Sequence, residues 1–285
     1  MPHSIDIEYS ERAIPQYERA VEQAGGEPVR ILLGQTRDEV MKAEVLKIME
    51  HCDGVLLPGS NADVDPAKFG ATRSPRTAAA DPRRDAVDEL LLHDAYGRRK
   101  PILGICYGLQ SLNVYRAGSL IQHIPDFLPE DLRARVNHEA GKKVAVAHDA
   151  EIESTSRLAQ IVCGDSRPRL SGRAQPARGE GHGFSRVDNE SGRNGALASD
   201  GDKLIVPVNS SHHQSAETIG NGLRMVARCP DDGIIEALEG IAPDHFVLAV
   251  QWHPERSVDQ DEPSRAIFRA LIEAAKIKAG EKQGK

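Results

Sequence analysis

Apolar positions recur at helical spacing from Pro15 to Ala24, and Gly25-Gly26 ends that run. Val29 to Leu33 then reads as a short strand. Asp38 to His51 reads as a helix with Val40, Met41, Val45, Leu46, Ile48 and Met49 on or near its buried side. Gly54 to Leu57 is a brief apolar run stopped by Pro58-Gly59, the pattern of a buried strand ending in a turn. Asp81 to Arg98 is predicted helical, with Asp81 as N-cap and Pro82 at the first helical position. Ile102 to Ile105 is another buried strand, and Leu109 to Ala117 is the helix after it.

Short apolar strands separated by helices predict βαβ units and a parallel sheet, hence an α/β fold. The second half differs. Lys142 to His148, Leu204 to Val208, Leu223 to Arg228, Ile234 to Leu238 and Val247 to Gln251 read as strands without full helices between them, which predicts antiparallel additions. Ser264 to Lys278 is a terminal helix, and residues 279–285 are expected to fray. Residues 165–202 are rich in Gly, Pro, Arg and Asn, with few bulky apolar side chains. Such a segment cannot offset its ordering entropy, so a mobile insertion is expected, with a lid over the site as the alternative. The rest is read as one domain spanning residues 1–285.

Composition narrows the class. The core must be mostly aliphatic, because aromatic residues make up only 4% of the chain. Charges of both signs are interspersed around a net of -7 without a basic stripe, so no nucleic-acid partner is expected. No apolar run approaches the roughly 18 residues that span a bilayer. The N-terminus lacks a basic segment followed by an apolar one, so no signal peptide is read there. Cys52, Cys106, Cys163 and Cys229 form no C-x-x-C pair and no Cys/His set with zinc-ligand spacing. A reduced cytoplasmic compartment is the expected setting.

Candidate chemistry centres on Gly104-Ile105-Cys106-Tyr107-Gly108, between a buried strand and a helix. A tight turn of this kind projects a nucleophile from the sheet edge. The helix N-terminus favours the thiolate, and the Tyr107 N–H is placed for an oxyanion hole. A packing turn around an inert thiol has the same letters and stays open at this point. A nucleophilic Cys needs a base, and the base needs an orienter. His253-Pro254-Glu255 offers both: in an extended segment residues two apart share a side, and Pro254 restricts the backbone between them. A surface turn is the alternative. Gly59 ends a strand where a second N–H could meet an oxyanion.

These pieces, in this order, resemble the class I glutamine amidotransferase-like domains. Within that group the chain is most similar to the γ-glutamyl-γ-aminobutyrate hydrolases, the C26 peptidases. The carrying stretches are Leu57 to Gly70, Asp81 to Asp85, Gly104 to Val114, Gly118 to Gln122, Val208 to Gln214, Pro230 to Leu238 and Gln251 to Glu255. The resemblance implies a flavodoxin-like three-layer αβα sandwich with a mostly parallel central sheet and antiparallel C-terminal additions. It implies Cys106 as nucleophile, His253 as base and Glu255 as orienter, with Gly59 and Tyr107 as oxyanion donors. Gln110, Ser211 and His212 would hold the α-amino and α-carboxylate ends of a glutamyl group. The implied reaction is hydrolysis of a small-molecule γ-glutamyl amide through a thioester, without a cofactor; a homodimer is admitted as a partner state.

Two departures stand out. The family's N-terminal strand is represented only by Ser4 to Glu8, so that strand is expected to be shortened or the chain start truncated. Tyr107, expected near the leaving-group side, leaves the amine open. Two other functions remain in view: a glutaminase subunit passing ammonia to a synthase, and a non-catalytic binding protein of the same fold.

Overall fold

The computed structural model describes residues 7–33, 38–164, 198–200 and 203–283. Ten strands and eight α-helices are described: β1 (Val55–Leu57), β2 (Ile102–Ile105), β3 (Leu120–Ile121), β4 (His148–Glu153), β5 (Ala198–Asp200), β6 (Lys203–Val208), β7 (Ser215–Ala216), β8 (Leu223–Arg228), β9 (Ile235–Gly240) and β10 (Val247–Val250), with α1 (Ile7–Gln23), α2 (Asp38–His51), α3 (Pro82–Arg98), α4 (Tyr107–Tyr115), α5 (Ile124–Phe127), α6 (Glu130–Arg133), α7 (Arg157–Cys163) and α8 (Glu262–Gln283). The main sheet has the order β1-β2-β10-β9-β8-β4-β6-β5, and β3 and β7 form a separate pair.

Helices cover both faces. Side chains alternate along β2: Leu103 and Ile105 join the core under α1, α7 and α8, whereas Ile102 joins the core under α2, α3 and α4. α1 buries Ser10, Ile14, Tyr17, Ala20 and Val21, one stripe at helical spacing. In α2, Met41, Val45 and Met49 are buried as expected, but Leu46 is exposed. Asp81 caps α3, accepting from the Arg83 and Arg84 N–H groups, with Pro82 first in the helix.

Several expectations are corrected. The sheet is mixed, not mostly parallel: β1 with β2 and β2 with β10 run parallel, and the five other pairings are antiparallel. β5 to β6, β8 to β9 and β9 to β10 follow one another through short connections, which permit only antiparallel neighbours. Val29–Leu33 pairs with no strand among the described residues. Ile31 and Leu33 insert into the core while Val29 and Leu32 stay exposed, so the alternation marks burial without a ladder. The strand expected at Lys142–His148 begins where that run ends, at His148, because His148, Ala150 and Ile152 face inward and Val144 and Val146 do not. Ile7 and Glu8 lie in α1, not in a strand, and residues 1–6 fall outside the described residues. Of the predicted insertion, 198–200 forms β5 against β6, while 165–197 and 201–202 fall outside the described residues. α8 continues to Gln283, past the expected fraying point.

Candidate active site

Cys106 sits between the end of β2 and the first residue of α4, with φ 53° and ψ -105°. A non-glycine residue there is strained and must be held by its surroundings. Its N–H donates to the Val250 carbonyl at 2.8 Å, and its carbonyl accepts from Leu109 and Gln110 at 3.0 and 3.3 Å. The flanking glycines let the turn close. A Cβ on Gly104 would come within 2.8 Å of the Gly108 backbone, and one on Gly108 would fall 2.1 Å from the Leu57 carbonyl oxygen. Tyr107 is the first helical residue, so its N–H has no acceptor within α4.

His253 follows β10. Asn209, just after β6, clamps it from both sides: the His253 N–H donates to Asn209 Oδ1 at 2.8 Å, and Asn209 Nδ2 donates to the His253 carbonyl at 2.9 Å. Glu255 reaches His253 Nδ1 at 2.6 Å. The reason differs from the extended alternation expected from sequence. Pro254–Arg256 is a 3-10 turn that folds the carboxylate back onto the ring. Burial opposes the charged imidazole, but the negative charges of Glu255 and then Cys106 outweigh it and raise His253 to about 9. For Glu255 burial acts upward, and the adjacent imidazole holds it below the usual carboxylate value. The structure thus brings Cys106, His253 and Glu255 together.

Gly59 joins the same cluster. A Cβ there would lie 2.9 Å from His253 Cε1 and 3.6 Å from Cys106 Cβ. The orientation of its peptide is set by Arg84, which sequence reasoning did not single out. Arg84 is fully buried; its Nε pairs with Asp88 at 2.8 Å and its Nη2 donates to the Pro58 carbonyl at 2.7 Å. In a trans peptide the N–H points opposite the carbonyl, so pinning the Pro58 oxygen aims the Gly59 N–H the other way. There it donates to the Tyr17 hydroxyl at 3.0 Å. Tyr17 is therefore a second residue sequence reasoning missed. Burial first, then the negative charge of Glu255, pushes its hydroxyl well above the usual tyrosine value and keeps it neutral. Tyr9, also on α1, is raised to about 12 by burial and then by Cys106 and Glu255. α1 thus lies across the cluster, which leaves Cys106 6% and His253 and Glu255 each 2% exposed.

The other expected residues are placed as follows. Ser211 accepts from Arg256, next to Glu255, at 3.2 Å. Gln110 donates to the Gln214 carbonyl at 3.1 Å and lies by Gln251, inside the protein. His212 is turned the other way, with both ring nitrogens engaged by the Gln214 carbonyl and Glu236. The Tyr107 side chain is buried; it donates to Asp85 and lies under the Arg84 guanidinium. A cavity of about 1250 Å³ opens between α2, α3 and α4 and holds none of the three clustered residues. A smaller one of about 540 Å³ reaches Tyr17 and Pro58 from the α1 side.

A strained Cys at a strand-to-helix turn, a buried His-Glu pair and helices on both sides of a mixed sheet define a protein of the class I glutamine amidotransferase-like fold. The glutaminase domain of Trypanosoma brucei CTPS superimposes with a TM-score of 0.52 at 14% identity, covering 96% of this chain and 91% of that one. The chain belongs to the Peptidase C26 family, whose profile matches residues 3–172 and 179–255. It is 30% identical over 271 residues to the γ-glutamyl-γ-aminobutyrate hydrolase PuuD of Escherichia coli K12, covering 94% of this chain and 88% of that protein. It is 35% identical over 218 residues to the Mycobacterium tuberculosis protein named "Putative glutamine amidotransferase Rv2859c", covering 76% of this chain. The chain spans about half, 54%, of the length of that relative. Among the described residues no helix is long and apolar enough to cross a membrane.

Proposed function

We propose that this chain is a cysteine hydrolase of γ-glutamyl amide bonds, with γ-glutamyl-γ-aminobutyrate as the substrate to test first. The observation that carries the reading is the buried 2.6 Å contact of Glu255 with His253, whose ring lies with the strained Cys106 against Gly59. Cys106 Sγ, as thiolate, attacks the γ-carbonyl carbon. The oxyanion accepts from the Tyr107 N–H and from the Gly59 N–H once the Tyr17 hydroxyl moves off. Imidazolium His253 gives its proton to the departing amine, and the carbon–nitrogen bond breaks to leave a thioester. Water then adds to the thioester as neutral His253 takes its proton, and glutamate leaves as the thiolate is restored. Glu255 holds the ring in one orientation throughout and steadies its positive charge.

Gln110 and Ser211 are retained as proposed holders of the glutamyl end, with Arg256 beside Ser211 as the positive charge available to a carboxylate. His212 no longer enters this proposal. The name of the Mycobacterium tuberculosis relative favours a second reading, a glutaminase that feeds ammonia to a synthase. Turnover of γ-glutamyl-γ-aminobutyrate measured against free glutamine separates the two. Preference for the former supports the hydrolase; glutaminase activity that appears only with an added synthase overturns it.

A further inference from the structure

A second buried histidine cluster lies apart from Cys106. His138, His148 and His212 surround Glu236, and their side chains are 3%, 4%, 1% and 0% exposed. Glu236 Oε1 stands 3.2 Å from His138 Nδ1, 3.3 Å from His148 Nε2 and 3.1 Å from His212 Nε2. The far side of each ring is already committed. His148 Nδ1 faces the Asp149 carbonyl at 2.9 Å, His212 Nδ1 faces the Gln214 carbonyl at 2.8 Å, and His138 Nε2 faces Asp232 at 2.8 Å. A carbonyl or carboxylate can only accept, so each outer nitrogen carries a proton. The three inner nitrogens point at one carboxylate oxygen, and in the neutral rings they present lone pairs to the space between them. His138 Nδ1 and His148 Nε2 are buried without a hydrogen-bond partner. Three ring nitrogens and a carboxylate oxygen converging in a buried volume are suited to a shared cation.

We propose that His138, His148, His212 and Glu236 bind a divalent transition-metal ion, zinc, as a closed structural site. Three imidazoles and one carboxylate form a donor set suited to tetrahedral zinc. Zinc–nitrogen bonds of about 2.0–2.1 Å require neighbouring donor atoms about 3.3 Å apart. The 3.1–3.3 Å separations around Glu236 Oε1 match that edge, and all four donor atoms lie within 4.8 Å of one another. The outer contacts are those that fix ring orientation at metal sites. Ser210 holds the other Glu236 oxygen at 2.9 Å. With every donor buried and four-coordination complete, no position remains for substrate. The ion would tie β4 and β9 to the segments carrying His138 and His212.

The test is elemental analysis of the full chain purified from zinc-supplemented medium, repeated on Cys106→Ser and His148→Gln. A parallel preparation is grown with cobalt in zinc-poor medium. The proposal expects about one zinc per chain in the wild type and in Cys106→Ser, and a loss to background in His148→Gln. It also expects the visible d–d bands of a tetrahedral centre in the cobalt form, read on the wild type alone should His148→Gln not fold. Background zinc together with no cobalt bands would overturn it, since the lone pairs would then be met by protons. Metal that disappears in Cys106→Ser but persists in His148→Gln would overturn it equally, by placing the ion on the nucleophile.

Discussion

The molecule contains two buried histidine–carboxylate assemblies built from the same residue types. In the first, Glu255 Oε1 takes one ring nitrogen of His253 at 2.6 Å, and the charge of Cys106 acts on the same ring. In the second, Glu236 Oε1 faces three rings at 3.1–3.3 Å, and every outer nitrogen is tied to a fixed acceptor. Burial is nearly complete in both. What separates them is where the remaining ring nitrogen points: at a strained thiol in one case, at a common centre in the other. A buried histidine is thus read by what its second nitrogen faces.

Removing the Cys106 thiol gives the largest expected contrast. Cys106→Ala should lower γ-glutamyl amide hydrolysis by at least about 10³-fold. His138→Gln, in the other assembly, should leave kcat nearly unchanged at temperatures where the variant is folded, while lowering its unfolding temperature. Steady-state kinetics with thermal melts would break the distinction if His138→Gln lost activity as Cys106→Ala does.

Glu255→Gln should cost about 10²-fold or more in kcat/KM, the scale of losing an oriented acid–base group. It should also move the pH profile. His253 is raised to about 9 against burial by Glu255 and Cys106, so activity that needs imidazolium falls as pH rises through about 9. Without the carboxylate, burial gains ground and that limb moves to lower pH. The sign also holds for stability. A raised histidine stabilises the fold most below its ordinary value of 6.5, and the contribution is lost as pH rises to about 9. An unmoved limb in Glu255→Gln would mean that the carboxylate does not act on the ring.

Gly59→Ala should reduce activity by about 10-fold or more, because its Cβ would crowd His253 and Tyr17 and disturb an oxyanion donor. Tyr17→Phe should do the opposite and more gently. It frees the Gly59 N–H from a competing acceptor worth about 0.5–1.5 kcal/mol, which predicts thioester formation about 2- to 10-fold faster. Rapid-quench measurement of the first turnover reads both, and a slower Tyr17→Phe would make the hydroxyl a helper, not an obstacle.

What the sequence revealed follows the range of the interactions. The turn at Cys106 was legible because glycines on both sides of a nucleophile have a local cause, visible here in the 2.1 Å approach that a Gly108 Cβ would make to Leu57. Asp81 and Pro82 at the start of α3 were legible for the same reason. His253 and Glu255 were found as a pair, though a 3-10 turn rather than strand alternation joins them. Arg84 and Tyr17 act on Pro58 and Gly59 across 26 and 42 residues, and no spacing rule reaches that far. The Glu236 cluster draws on four separate segments, so a search for metal-ligand spacing passes over it. Lys142–Ala147 misled because its alternation is real, but its valines face outward.

The central claim is that Cys106 carries the glutamyl group during turnover. Acid-quenched samples taken while γ-glutamyl-γ-aminobutyrate is being consumed, digested and read by mass spectrometry, test it directly. The account predicts that the peptide bearing Cys106, and neither Cys52, Cys163 nor Cys229, gains one glutamyl group that disappears when substrate is exhausted. Steady hydrolysis with Cys106 unmodified at every time point, or the same rate in Cys106→Ala, would contradict it.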